Sequence, residues 1–180
     1  MKDFFHNIDS SWTLFLDRDG VINKRIVGGY VERMSDFHFL PQVPKAIALC
    51  KTVFGRIIVV TNQQGVGKGI MTEEQLTLVH AHLKEQIPEI DRIYHSPYLA
   101  RENSKMRKPN IGMALAAKND FPEIDFQKSI MVGDSPSDME FGKNAGMITV
   151  FISDTETHAS ADRVYASLFD FAQNIQHGIF

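Results

Sequence analysis

The chain has 180 residues, 43% hydrophobic and 23% charged, a globular balance that excludes a fibrous repeat and a disordered polyelectrolyte. A formal net charge of −3 gives no electrostatic reason to expect nucleic acid or an anionic membrane as partner. Its one cysteine, Cys50, excludes an intrachain disulfide, and no apolar run approaches the ~20 residues that span a bilayer. Residues 1–7 lack the apolar stretch and cleavage site of a secretory signal, so a cytoplasmic protein is expected. The length suits a single domain over residues 1–180, and a monomer is the expected state.

Residues 12–16 make the first short apolar run and read as a strand. Residues 44–54 follow as a helix, opened by Pro44, which a first helical turn tolerates. A second run at 56–60 precedes a helix at 72–85, where Thr72 and Gln75 have the spacing of a capping box. After a third run at 92–94, Pro109 opens a helix at 109–119. A fourth run at 129–132 leads to a helix at 136–145, with Gly146 in the place of a C-terminal glycine. A fifth run at 148–152 and a helix at 167–175 complete the series. The runs are rich in Ile, Val and Phe without polar alternation, which fits strands buried on both faces. Their alternation with helices predicts right-handed crossovers around a parallel sheet, an α/β, three-layer, Rossmann-like fold.

In such a sheet ligands gather at the carboxyl ends of the strands. Polar clusters follow the runs: Asp17-Arg18-Asp19-Gly20, then Thr61-Asn62-Gln63, then Lys108-Pro109, then Gly133-Asp134-Ser135 with Asp138 beyond. A lone Asp after a strand is usually a turn former. Clusters at four successive strand ends instead predict one shared pocket. Carboxylates suit Mg²⁺ beside a phosphate. Lys108 would neutralise both a nucleophilic carboxylate and the incoming phosphate. Asp17 would attack phosphorus to form an aspartyl phosphate. Asp19 would protonate the leaving oxygen and later accept a proton from water. Thr61 would donate to a phosphoryl oxygen.

Leu16-Asp17-Arg18-Asp19-Gly20-Val21-Ile22-Asn23 resembles the first motif of the haloacid dehalogenase superfamily. Thr61-Asn62-Gln63, Lys108-Pro109 and Gly133-Asp134-Ser135-Pro136-Ser137-Asp138 are similar to its second, third and fourth. The resemblance implies Mg²⁺ held by Asp17, the Asp19 carbonyl and Asp134, with Asp138 orienting the site. Gly29-Tyr30-Val31, the Thr61 to Gly69 stretch and Arg107-Lys108-Pro109 look like the branch of heptose-bisphosphate and histidinol-phosphate phosphatases. That likeness implies a small phosphorylated sugar as substrate, with Asn62, Gln63, Arg107 and Ser135 helping to bind it. The heptose branch usually carries a zinc loop of three cysteines and a histidine before the third motif. Residues 94–106 hold His95 but no cysteine, so no structural zinc is expected.

Between Asp17 and Thr61, and between Thr61 and Lys108, a helix and a strand already fill the chain, which leaves no room for a large cap domain. Loops 23–40 and 96–107 should border an open site. Capless relatives include polynucleotide 3′-phosphatase domains, which the acidic charge disfavours here. A receiver-like phospho-acceptor module is the non-enzyme alternative, and Asp19 argues against it because such a module must keep its phosphoryl group. Gly65-Val66-Gly67-Lys68-Gly69 lacks the residues of a nucleotide-binding loop. His80 and His82, two apart on a helix, point to different faces and read as surface histidines.

Overall fold

The computed structural model describes residues 8–178, so the expectation for residues 1–7 lies outside the described residues. The five apolar runs become strands β1 (Thr13–Leu16), β2 (Arg56–Asn62), β3 (Arg92–Ser96), β4 (Ser129–Gly133) and β5 (Ile148–Ile152). A sixth, β6 (Arg163–Tyr165), had no apolar run to announce it. Helices are α1 (Val43–Lys51), α2 (Gln64–Gly67), α3 (Glu73–Gln86), α4 (Gly112–Asp120), α5 (Pro136–Ala145) and α6 (Leu168–His177). All the strand pairs are parallel, in the order β3-β2-β1-β4-β5-β6. The fold is therefore the expected three-layer, Rossmann-like α/β architecture. The direction of winding reverses between β1 and β4, the switch point where such sheets bind ligands.

Alternation along β1 shows why both faces are apolar. Leu14 and Leu16 join Ile57, Val59, Ile130 and Val132 in a core covered by residues such as Ala46, Ile47, Val79, Leu83 and Phe171 of α1, α3 and α6. Phe15 points the other way, with Ile58, Val60 and Met131, against Met113, Ala114, Ala117 and Phe141 of α4 and α5. β3 departs from the expectation of full burial, because it is an edge strand and only Ser96 is buried in it.

Local signals set several boundaries. The capping box at α3 is present, with Gln75 N–H donating to Thr72 Oγ1 at 3.2 Å and Thr72 N–H to Gln75 Oε1 at 2.7 Å. Gly146 ends α5 at φ +81°. The expected start of α4 at Pro109 is corrected to Gly112. Pro109 instead belongs to a turn in which Asn110 N–H donates to the Arg107 carbonyl at 2.9 Å, and the Lys108–Pro109 peptide is cis. Among the described residues, only α1 and a single-turn 3₁₀ helix at Met34–Asp36 lie between β1 and β2, and α2 and α3 lie between β2 and β3. No described helix is long and apolar enough to cross a membrane.

Phe15 is fully buried at the centre of the sheet and meets Phe126 edge-on at 6.5 Å. Phe15→Ala is expected to lower unfolding stability by about 3–5 kcal/mol in urea titrations, through lost transfer energy and the cavity left behind.

Candidate active site

The first residue beyond β1 is Asp17, and its N–H donates to the Val132 carbonyl at 2.9 Å, which ties it to β4 across the switch point. The chain then turns sharply: Gly20 N–H bonds the Asn23 carbonyl at 2.8 Å, while Ile22 and Asn23 N–H bond that of Arg18. Gly20 sits at φ +98°, and a Cβ there would lie 1.8 Å from Asp134 Oδ2. Only glycine lets the turn pass so close beneath that carboxylate.

Lys108 arrives from the loop after β3 and is almost fully buried. Its Nζ donates to Asp17 Oδ1 at 2.8 Å and to the Val60 carbonyl at 2.8 Å, and forms an ion pair with Asp138 Oδ1 at 2.6 Å. Burial opposes the ammonium's charge, but Asp138 and Asp17 outweigh it and hold its pKa above the ordinary lysine value. Asn62 fixes the Lys108 backbone from both sides: Lys108 N–H donates to Asn62 Oδ1 at 3.0 Å, and Asn62 Nδ2 donates to the Lys108 carbonyl at 3.1 Å. Burial, reinforced by Asp138 and only partly offset by Lys108, pushes the Asp17 carboxyl up to about 6.

Asp19 experiences the opposite balance. Arg18 Nη2 donates to its two oxygens at 3.1 and 3.0 Å, Asn23 Nδ2 to Oδ1 at 2.8 Å and Gln63 Nε2 to Oδ2 at 2.7 Å. Burial would raise the carboxyl, but these donors outweigh it and keep Asp19 below the usual carboxylate range. Gln63 also donates to Thr61 Oγ1 at 2.8 Å, which leaves the Thr61 hydroxyl proton free to face the cleft. Ser135 donates to Asp138 Oδ2 at 2.7 Å at the start of α5. Asp134 is raised to about 7, by burial first and by the Asp17 charge second, against the nearby Arg25.

Asp17, Asp134 and Asp138 each offer an oxygen within 4.8 Å of the others, a set able to hold a metal ion. Arg25 adds a second observation. Its Nη2 donates to Asp134 Oδ1 at 2.7 Å and to the Asp19 carbonyl at 3.1 Å. A cation is thus already bridged by the two oxygens that the motif resemblance pairs with Asp17, and hard oxygen donors converging on positive charge suit Mg²⁺.

Asp17, Asp19, Thr61, Asn62, Gln63, Arg107, Lys108 and Ser135 line one cleft of about 490 Å³, together with Arg25, Tyr30 and Lys68. Asp134 stands beside them under Arg25. Arg107 donates to the Tyr98 carbonyl at 3.1 Å, and Lys68 lies over the Tyr30 ring at 5.5 Å. In loop 96–107, Asn110 donates to the Ser104 carbonyl and Gly67 N–H to that of Pro97, and His95 pairs with Glu73 at 3.0 Å.

Arg18, Arg25 and His80 had no assigned role in the sequence. His80 is a correction. It is half-buried beneath Arg18, with Nε2 3.0 Å from Nη1, because it shares the packed stripe of Leu76, Val79 and Leu83 on α3. The i, i+3, i+4, i+7 spacing of 76, 79, 80 and 83 was the available signal.

A family model described as Polynucleotide kinase 3 phosphatase matches residues 13–177. The chain belongs to this family. Among curated relatives, a D-glycero-alpha-D-manno-heptose-1,7-bisphosphate 7-phosphatase of Mycobacterium tuberculosis is 36% identical, covering 92% of each chain. One of the same description from Campylobacter jejuni is 40% identical, over 79% of this chain and 83% of its own. A crystal structure of D,D-heptose 1,7-bisphosphate phosphatase from B. bronchiseptica, complexed with magnesium and phosphate, superposes with a TM-score of 0.81. It is 22% identical and covers 92% of this chain and 98% of its own. The fold is shared with a haloacid dehalogenase-superfamily hydrolase from Geobacter sulfurreducens (TM-score 0.62, 14% identity, 90% and 98% covered).

Removing the Lys108 charge would leave Asp17 and Asp138 facing each other in a dry site. Lys108→Met is expected to cost about 3–5 kcal/mol near pH 8. The cost should shrink near pH 5, where Asp17 takes up a proton, and urea titrations at both pH values check this.

Proposed function

We propose that the protein is a Mg²⁺-dependent phosphatase that hydrolyses a small phosphomonoester through an aspartyl-phosphate intermediate on Asp17, with a heptose 1,7-bisphosphate as substrate. The observation that carries the reading is Asp17 at the carboxyl end of β1, bridged by buried Lys108 and followed two residues later by Asp19. Asp17, Asp134 and the Asp19 carbonyl would hold Mg²⁺, which would supply positive charge against the attacking carboxylate and the phosphoryl oxygens.

An Asp17 oxygen attacks phosphorus and the bond to the leaving oxygen breaks. Asp19, ionised in the free site, enters this step carrying a proton taken from the substrate's phosphate monoanion and passes it to the leaving oxygen, which makes the product an alcohol. Water then attacks the same phosphorus and gives its proton to Asp19. The bond between phosphorus and Asp17 breaks, which releases phosphate and restores the carboxylate. Lys108 and the Thr61 hydroxyl donate to the charge that develops on the way. Asn62 positions Lys108, and Gln63 positions Asp19 and Thr61.

The relatives named as heptose-1,7-bisphosphate 7-phosphatases support the substrate class. Three cations that line the cleft, Arg25, Lys68 and Arg107, support a second phosphate on the substrate. Turnover of heptose 1,7-bisphosphate, histidinol phosphate, other sugar phosphates and a 3′-phosphorylated oligonucleotide should be fastest with the heptose. Preference for the oligonucleotide would replace the sugar reading. Asp17→Asn should abolish hydrolysis of every substrate while leaving the circular dichroism spectrum intact, and retained turnover would remove the nucleophile assignment.

Metal binding should also depend on pH. The folded carboxyls of Asp17 and Asp134, at about 6 and about 7, lie above their ordinary value of 3.8. In the metal-free protein their contribution to stability is present below about pH 4 and is lost as pH rises through 6 to 7. Mg²⁺ must displace those protons. The rise in Tm on adding Mg²⁺ is expected to be small near pH 5 and to reach a plateau near pH 8, as measured by differential scanning fluorimetry. An equal rise at both would count against these ligands.

A further inference from the structure

Asp19 is gripped from beneath by a residue that has no part in the chemistry above. Arg18 is fully buried, and its Nε has no hydrogen-bond partner among the described residues, so the contacts of Nη1 and Nη2 set the seat of the guanidinium. Nη2 holds both Asp19 oxygens. Nη1 meets His80 Nε2 at 3.0 Å. A guanidinium has only donors, so His80 Nε2 must be the unprotonated acceptor and the ring proton must sit on Nδ1. Burial first, then the charge of Arg18 and the neighbouring His95, lower His80 to about 3, in keeping with a permanently neutral ring. The His95 ring stands 5.5 Å from His80 and is itself paired with Glu73, so α3 and β3 hold the imidazole from behind.

We propose that His80, acting through Arg18, is a positioning residue that aims the Asp19 carboxyl at the leaving oxygen and so governs how well the enzyme expels poor leaving groups. This rests on the reading of Asp19 as general acid. Arg18 and Asp19 are adjacent in the chain, so without a second anchor the long Arg18 side chain has many ways to meet its neighbour. His80 fixes one amino group and thereby the direction from which the other reaches Asp19. An error of about 1 Å in such a group costs on the order of 10²-fold in rate.

The test compares kcat/KM for heptose 1,7-bisphosphate, whose leaving oxygen needs a proton, with that for p-nitrophenyl phosphate, whose phenolate leaves without one. His80→Leu should lower kcat/KM for the sugar phosphate by roughly 10- to 100-fold and change that for p-nitrophenyl phosphate by less than about threefold. His80→Gln, whose carbonyl oxygen can accept from Arg18, should restore most of the loss. Arg18→Lys, which keeps the charge but cannot span His80 and Asp19 together, should reproduce the Leu signature even if the Leu variant does not fold. Asp19→Asn should show the same discrimination with a larger fall, about 10² to 10⁴. Equal losses on both substrates, or none, in folded His80→Leu or Arg18→Lys overturn the proposal alone as long as Asp19→Asn still discriminates. If Asp19→Asn itself does not discriminate, the acid reading falls and the proposal falls with it.

Discussion

Four carboxylates, Asp17, Asp19, Asp134 and Asp138, meet where β1 and β4 end, and the site exists because each is answered by a cation, two of these cations coming from distant parts of the chain. Lys108 stands between Asp17 and Asp138, Arg18 beneath Asp19, and Arg25 over Asp134. With carboxylate oxygens of Asp17, Asp134 and Asp138 within 4.8 Å of one another, unneutralised charges in a poorly solvated pocket would repel by several kcal/mol, enough to consume much of the stability of a domain this size. The rest of the local structure serves that balance. Asn62 exists to seat Lys108, Gly20 to let the first loop pass under Asp134, and Ser135 to occupy the far oxygen of Asp138.

The same balance separates the proton affinities of two carboxylates only two residues apart. Asp17 faces a like-charged neighbour in a dry setting and is pushed up, while Asp19 is surrounded by donors and is held down. Two carboxylates of one short turn are thus given opposite proton affinities by difference of environment alone. The sheet topology makes this economical, because parallel strands deliver all their carboxyl ends to one edge.

Much of the frame was legible because its signals are local. Five apolar runs gave five strands, and the Thr72 box, Pro136 and Gly146 marked helix ends that the structure keeps. What escaped lacked such signals or depended on partners distant in sequence. β6 is a three-residue edge strand held beside Asp162, which binds Lys143 and Thr149 rather than contributing apolar bulk. Pro109 has the residue type of a helix opener, yet it is consumed by the turn that presents Lys108. The motif residues themselves stood out by type and position. Their supporting partners did not, because Arg25 finds Asp134 from 109 residues away and Arg18 finds His80 from 62. His80 shows in the helical stripe of α3, a signal that its spacing to His82 does not carry.

Loop 96–107 is fastened by bonds such as Arg107 to the Tyr98 carbonyl and Asn110 to that of Ser104, and carries no cysteine. Ties of that kind are worth about 1 kcal/mol each, against some 10–16 kcal/mol for a structural zinc ion in a small module. The wall of the cleft nearest Arg107 is thus fastened, among the described residues, by ties that a single substitution can remove one at a time. The side chains that face the substrate from that wall can therefore change separately from the ends of β1 and β4 that carry the carboxylates.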